Sequence, residues 1–264
     1  MQSLKSELNC GYYGKLVEYD LLKPFPNENS GIIIYKIHIP EFINILDELL
    51  SFLDLKEIDR AAKFYKEKDK YRFVICRSLL KFILSLHAKV DIKQIKIDYQ
   101  TPNKKPYLSS HPFIFFNVTH SDDVGLIAVA NRPIGIDIEH INGNYEYMSL
   151  LEHFCNEKEI SFIKNAANKK QAFYSIWTRK ESFVKALGTG INNDFSKMPS
   201  IDGLHFVDSS LVGGKIKNWQ IQGFDLTDEY IGALAYETKE TYSQKITIYT
   251  LPNKIDELIG LQQF

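Results

Sequence analysis

Cysteine is scarce in this chain. Cys10, Cys76 and Cys155 are scattered through 264 residues. Their number is odd and their spacing matches neither a zinc site nor a disulfide framework, which points to a reducing compartment. An excess of charge of one sign is also missing, because 32 Lys and Arg face 33 Asp and Glu, a formal net charge of −1. That balance argues against bulk attraction to nucleic acid or to a membrane surface, so an anionic partner must be held by local basic clusters. No apolar run approaches the ~18 residues of a membrane-spanning helix. The first twenty residues mix charges throughout and lack the apolar centre of a signal peptide. Two phosphate-binding loops are absent as well, GxxxxGK(S/T) and a GxGxxG following a strand, which leaves P-loop and Rossmann nucleotide sites unsupported. The chain is therefore expected to be soluble and cytoplasmic, with neither a nucleic-acid nor a membrane partner.

What is present is an ordinary globular composition, 44% hydrophobic and 25% charged, long enough for one large domain or two modest ones. The β-branched stretch GIIIYKIHIP (31–40) predicts a strand, and helical spacing runs through 41–53, 55–65 and, most clearly, KYRFVICRSLLKFILSLHA (70–88). IKIDY (95–99), FIFFNVTH (113–120), VGLIAVA (124–130) and GIDIE (135–139) read as strands. A broken helix over 147–167 precedes AFYSIWTRKESFVKAL (172–187), which Asn168 and Gln171 open as a capping box and Gly188 closes. Strands at 203–208, 219–225, 230–237 and 245–251 and a last helix at 253–260 complete the pattern.

The halves echo one another. RSLLK (77–81) parallels ESFVK (181–185), and some fifty residues beyond each comes a similar hairpin strand, DDVGLIAVA (122–130) and DEYIGALAYE (228–237). The shared order predicts an α+β fold made of a duplicated unit, two similar subdomains related by a pseudo-twofold axis. The boundary is placed near Arg132, giving subdomains 1–132 and 133–264, with the active site in the cleft between them.

Within NRPIGIDIEHI (131–141), Asp137 and Glu139 stand two residues apart in an apolar strand and so share one face. Like charges side by side raise each other's pKa unless a cation lies between them. The pair is therefore either a solvated strand end or half of a cation site. A third acid comes from WTRKESFVKALG, where Trp177, Glu181 and Lys185 fall in one row at i, i+4 and i+8. Taken alone, Glu181 and Lys185 read as a solvated helix pair, and His120 in FNVTHSDD as a structural hydrogen bonder. Together, three oxygen-donor acids, a lysine and a histidine suit Mg²⁺ and a phosphate under attack.

FNVTHSDD, IGIDIEHI and WTRKESFVKALGTGI, in this order and spacing, resemble the three motifs of the Sfp-type 4′-phosphopantetheinyl transferases. Those motifs are (F)NxSHS, G(I/V)DxE and WxxKE(S/A)xxKAxGxG, and the likeness spans about residues 55 to 191. The resemblance implies Mg²⁺-dependent transfer of the phosphopantetheine arm of coenzyme A to a serine of an apo acyl or peptidyl carrier protein, releasing adenosine 3′,5′-bisphosphate. It implies that Asp137, Glu139 and Glu181 hold the metal, with Glu181 or a metal-bound water activating the serine. Lys185 and His120 would neutralise the pyrophosphate, and Lys180 and Thr119 would lie in the same cleft. Upstream, Arg60 and Arg72 in RAAKFYKEKDKYRF match positions holding the nucleotide of coenzyme A, and Lys105 in NKKPYL matches a phosphate contact. The family fold of two similar subdomains in one chain further implies a monomer with pseudo-dimeric architecture.

The chain departs from the family pattern at three places. Lys104 replaces the usual glycine before Lys105, Thr119 replaces the common serine, and Asp122 replaces a frequent glycine. None removes a group that the chemistry needs. Two alternatives remain open at this stage: a Mg²⁺-dependent phosphohydrolase acting on coenzyme A, and a carrier-binding module without catalysis.

Overall fold

A computed structural model describes residues 5–21, 31–101, 105–141, 146–192, 194–214, 216–239 and 244–262. The chain opens with strands β1 (Lys5–Lys15), β2 (Glu18–Asp20) and β3 (Ile32–His38), then helices α1 (Leu46–Leu50), α2 (Leu55–Ala62) and α3 (Glu67–Ala88). The short strands β4 (Asp98–Tyr99) and β5 (Pro106–Tyr107) lead to the hairpin β6 (Phe115–Ser121) and β7 (Val124–Ala130), followed by β8 (Ile134–His140). Helices α4 (Leu151–Phe154), α5 (Glu157–Asn165) and α6 (Lys169–Leu187) come next. Strands β9 (Gly203–Asp208), β10 (Asn218–Asp225), β11 (Tyr230–Thr238) and β12 (Ile246–Thr250) and helix α7 (Ile255–Leu261) close the chain. The fold is mixed α+β.

Two five-stranded sheets carry the architecture, in the orders β2-β12-β3-β7-β6 and β8-β11-β10-β1-β9. Strand periodicity decides how they stack. In β3, Ile33, Tyr35 and Ile37 point toward α3, where they meet Leu79, Phe82 and Ile83. Ile32 and Ile34 point the other way and pack with Leu126 and Ala128 of β7 against Ile134, Ile136 and Ile138 of β8. On the far face of the second sheet, Phe183 and Ala186 of α6 bury Leu8, Trp219, Ile221 and Ala235. The result is helix, sheet, sheet, helix, with three apolar layers between them.

Gly135 fixes how closely β8 approaches α6. A Cβ there would lie 2.1 Å from the Ser182 carbonyl oxygen and 2.3 Å from the Ala186 nitrogen. Only glycine permits this approach. Asp137 and Glu139 share the face of Gly135, so the same contact sets both acids against α6.

Chain order and sheet membership part company at both ends. The boundary expected near Arg132 lies in the three-residue link between β7 and β8. Yet β1 joins the second sheet, parallel to β10, and β12 joins the first, parallel to β3. No strand is expected over 5–15 from the sequence pattern, because only Leu8 and Cys10 of β1 are buried apolar residues and Gly11 and Gly14 interrupt the run. The strand expected over 95–99 shrinks to the two residues of β4, behind a 3-10 turn at Ile92–Gln94. Helix α6 closes on Gly188 at φ 74° as expected, but its start is half a capping box. Asn168 accepts from the Gln171 N–H at 3.1 Å, while the Gln171 side chain accepts from Asn168 Nδ2 at 3.4 Å and not from the backbone N–H.

Candidate active site

The edge strands of the two sheets, β6 and β8, lie side by side along a cleft, with β6 forming one wall. Strand β6 presents Asn117, Thr119 and Ser121 at every second residue, all toward β8. The Asn117 side-chain oxygen accepts from the Ile136 N–H at 2.9 Å. Thr119 Oγ1 donates to Asp137 Oδ1 at 3.0 Å, and Ser121 Oγ donates to Glu139 Oε2 at 2.9 Å. Helix α6 forms the opposite wall. Trp177 Nε1 donates to Glu139 Oε1 at 3.3 Å, and Lys185 Nζ lies 2.6 Å from Asp137 Oδ1 and 3.2 Å from Thr119 Oγ1. Lys185 thus pairs with an acid of the sheet and not with Glu181 one turn back on its own helix.

Electrostatics mark the acids as a coupled group. Burial holds the Asp137 carboxyl above its ordinary value, even though Lys185 and Thr119 pull the other way. Glu139 is raised by burial and then by Asp137. Glu181 is pushed up to about 7, first by burial and next by the Asp137 charge. Asp137 is buried, and its Oδ2 has no hydrogen-bond partner among the described residues. An unpaired buried carboxylate oxygen among mutually repelling acids is the arrangement a cation relieves.

Among the described residues, no three His, Cys, Asp or Glu side chains are gathered into a ready-made metal cage. Mg²⁺ does not require one, since it takes one or two carboxylates, retains waters and completes its shell with substrate phosphates. The all-oxygen donor set and the orphaned Asp137 Oδ2 fit such an ion.

Basic groups border the acids. Arg72 lines an open cleft of about 770 Å³ with Ser121, Glu139, His140 and Trp177, and its guanidinium meets Asp69 at 2.6 Å. His120 is exposed, and its imidazole is held below the usual value by the protein packed around it, then by the Arg72 and Lys185 charges. Arg60 lies outside the cleft, with its guanidinium 4.9 Å from the centre of the Phe73 ring. Lys105 sits at the C-terminal end of α6, donates to the Ala186 carbonyl and is brought down to about 8 by burial, with Lys217 adding to the shift.

Two sequence models match this chain. One, described as 4′-phosphopantetheinyl transferase superfamily, covers residues 133–235, and one described as 4′-phosphopantetheinyl transferase, N-terminal, covers residues 43–132. The 4′-phosphopantetheinyl transferase HetI of Nostoc sp. is 31% identical over 169 residues, 62% of this chain and 71% of HetI. The chain belongs to the 4′-phosphopantetheinyl transferase superfamily. A 4′-phosphopantetheinyl transferase of Bacillus subtilis is 28% identical over 70% of this chain and 82% of its own length. The Sfp protein of Bacillus subtilis strain 168 is 27% identical over 55% of this chain and 65% of its own length. The protein is thus a transferase of the Sfp type.

Of the residues expected at the site, Asp137, Thr119 and Lys185 are in direct contact, and Glu139 and Glu181 lie near enough to Asp137 to feel its charge. His120 feels Arg72 and Lys185, and Arg72 shares the open cleft with Glu139. Arg60 lies outside the cleft, Lys105 lines a different cavity, and Lys180 is also placed elsewhere. Lys180 does not reach the cleft, because its side chain is wholly buried on another side of α6. There it lies 2.9 Å from Glu159 and donates to the carbonyls of Phe195, Ser196 and Met198. A buried ammonium needs such a full set of acceptors, and burial still lowers its pKa. Lys180 is a strut between α5, α6 and the segment after α6. Of the departures noted in the sequence, Asp122 takes φ 47°, the left-handed conformation that favours glycine and that Asp adopts more readily than most residues. Its carboxylate meets Lys68 at 2.6 Å. Lys104 lies outside the described residues. Ser121 and Trp177 escape the sequence-based site set, although the polar alternation of Asn117, Thr119 and Ser121 in an apolar strand signals a shared partner.

No described helix is long and apolar enough to cross a membrane.

Proposed function

We propose that this transferase moves the 4′-phosphopantetheine group of coenzyme A to a serine hydroxyl of an apo acyl or peptidyl carrier protein, with Mg²⁺ as cofactor. Asp137, Glu139 and Glu181 would hold the ion, which when bound would offset the charge of the pyrophosphate. The serine oxygen attacks the phosphorus next to pantetheine, the bond to the bridging pyrophosphate oxygen breaks, and adenosine 3′,5′-bisphosphate leaves. Glu181 accepts the serine proton. Lys185 exchanges part of its contact with Asp137 for the phosphate oxygens and meets the charge that grows on the leaving group. Arg72 and His120, on the first-half wall, face the phosphates and the nucleotide.

The observation that carries this reading is the apposition of the Glu181–Lys185 row to Asp137 and Glu139, with Asp137 Oδ2 left unpartnered. The two halves also support a duplicated origin. Each runs from a strand through a long helix to a hairpin, and β3-β7-β6 repeats in order and antiparallel sense as β8-β11-β10. Mass spectrometry of apo carrier proteins incubated with the enzyme, coenzyme A and Mg²⁺ tests the function. A serine-linked phosphopantetheine adduct is expected. Phosphate release from coenzyme A with no adduct would replace the reading with that of a hydrolase.

A further inference from the structure

Glu139 is held at both oxygens by residues that have no role in the chemistry above. Ser121 Oγ donates to Oε2 at 2.9 Å, and Trp177 Nε1 donates to Oε1 at 3.3 Å. Neither donor is free to turn elsewhere. A hydroxyl has one proton to give, and the His140 backbone N–H already donates to Ser121 Oγ at 3.0 Å. With its acceptor side engaged from β8, the Ser121 proton is directed at Glu139. Trp177 is wedged by rings: Phe154 edge-on at 5.1 Å between centroids, Phe195 at 5.7 Å and Phe173 stacked at 6.2 Å. An indole N–H can only donate, so a locked ring fixes the direction of its one hydrogen bond.

The two donors come from opposite walls, Ser121 from β6 of the first sheet and Trp177 from α6 over the second. Glu139 is half-buried, and with both carboxylate oxygens held it cannot rotate away from its place beside Asp137. We infer that Ser121 and Trp177 are positioning residues that clamp Glu139 from the two walls of the cleft and thereby set its presentation to a divalent cation. This inference rests on the proposed metal role of Glu139. Outer partners of ligating carboxylates typically change metal affinity 10- to 100-fold.

The test is direct Mn²⁺ binding, followed by the electron paramagnetic resonance of the free ion, on the whole chain with saturating coenzyme A. Ser121→Ala and Trp177→Phe should each weaken Mn²⁺ about tenfold or more, while Ser121→Thr, which keeps the hydroxyl, restores most of the affinity. In a Glu139→Gln background the Ser121→Ala change should have no further effect, because Ser121 acts through that carboxylate. Wild-type Mn²⁺ affinity in both single variants, or an equal loss in the Glu139→Gln background, would overturn the clamp while leaving the proposed transfer intact. Absence of Mn²⁺ binding to the wild-type protein would overturn the metal role itself, and the clamp with it. Should Trp177→Phe fail to fold, the Ser121 and Glu139 cycle decides alone.

Discussion

Replacing Lys185 by methionine separates two roles of one side chain. In the ligand-free protein its ammonium neutralises Asp137, 2.6 Å away, with the lysine side chain 29% exposed and the aspartate 5%. An exposed pair contributes at most about 1 kcal/mol, whereas breaking a fully buried one costs about 3–5 kcal/mol. This pair lies between those cases, so urea unfolding of Lys185→Met should show a loss of roughly 2 kcal/mol. Part of the cost is relieved because Asp137, already raised, can take up a proton. A second effect has the opposite sign. Without the competing ammonium, a cation approaches Asp137 more easily, so Mn²⁺ should bind the coenzyme-A-free variant more tightly than wild type.

Catalysis should suffer at the same time. In the proposed transfer Lys185 would meet charge that grows on the departing bisphosphate, an interaction stronger in the transition state than in the ground state. Its loss should cost about 2–4 kcal/mol of transition-state stabilisation, or roughly 30- to 1000-fold in kcat/KM, by analogy with a lost oxyanion donor. Coenzyme A affinity should fall far less, because Arg72 and His120 are proposed to hold the ground-state phosphates as well. Tighter Mn²⁺ binding together with slower turnover is the combination that a surface ion pair cannot produce. A Lys185→Met enzyme that turns over like wild type would refute the assignment of α6 to the phosphate.

Glu181, pushed up to about 7, is substantially protonated near neutral pH, so Mn²⁺ affinity of the coenzyme-A-free protein should rise with pH through about 7 and level off above it; Glu181→Gln should remove that slope. Lys180→Met leaves Glu159 buried without its cation and should cost about 3–5 kcal/mol in urea unfolding, while coenzyme A affinity of the folded fraction stays near wild type. A selective loss of coenzyme A binding would return Lys180 to the cleft. Burial brings the His87 imidazole from 6.5 down to about 4, so it stays neutral while the unfolded chain takes up a proton. Its contribution is complete above pH 6.5 and is lost as pH falls toward 4, by up to about 3 kcal/mol, and His87→Phe should flatten the stability profile in that window.

How much of this was legible in the sequence depended on how local the cause was. Alternation over 32–38, the helical stripe of 70–88 and the Asn168 and Gly188 caps involve neighbours within a turn or two, and each reads directly. The acids of the candidate site were legible for the same reason, since Asp137 and Glu139 must share a strand face and Glu181 and Lys185 a helix face. Strand β1 was not. It is held by β10, and its Asn9 bonds Gln220, 211 residues away. No window of sequence contains that cause. The exchange of β1 and β12 between the sheets is hidden in the same way.

Lys180 shows a different limit. It stands one residue from Glu181, but a step of one residue turns a helix by about 100°, which moves it off the Trp177–Glu181–Lys185 row. It falls instead in the row of Ile176, Phe183 and Val184, all buried. A lysine in an apolar row is a signal in itself, because such a charge survives burial only with a partner. The sequence offered that signal, but it could not supply the partner, Glu159, which comes from α5. The clamp on Glu139 follows the same logic. Ser121 and Trp177 are each legible as polar groups facing inward, and only the docking of β6 and α6 on either side of β8 brings them to one carboxylate. The chemistry-bearing acids can therefore be read from short motifs, while their orientation depends on contacts between elements far apart in the chain.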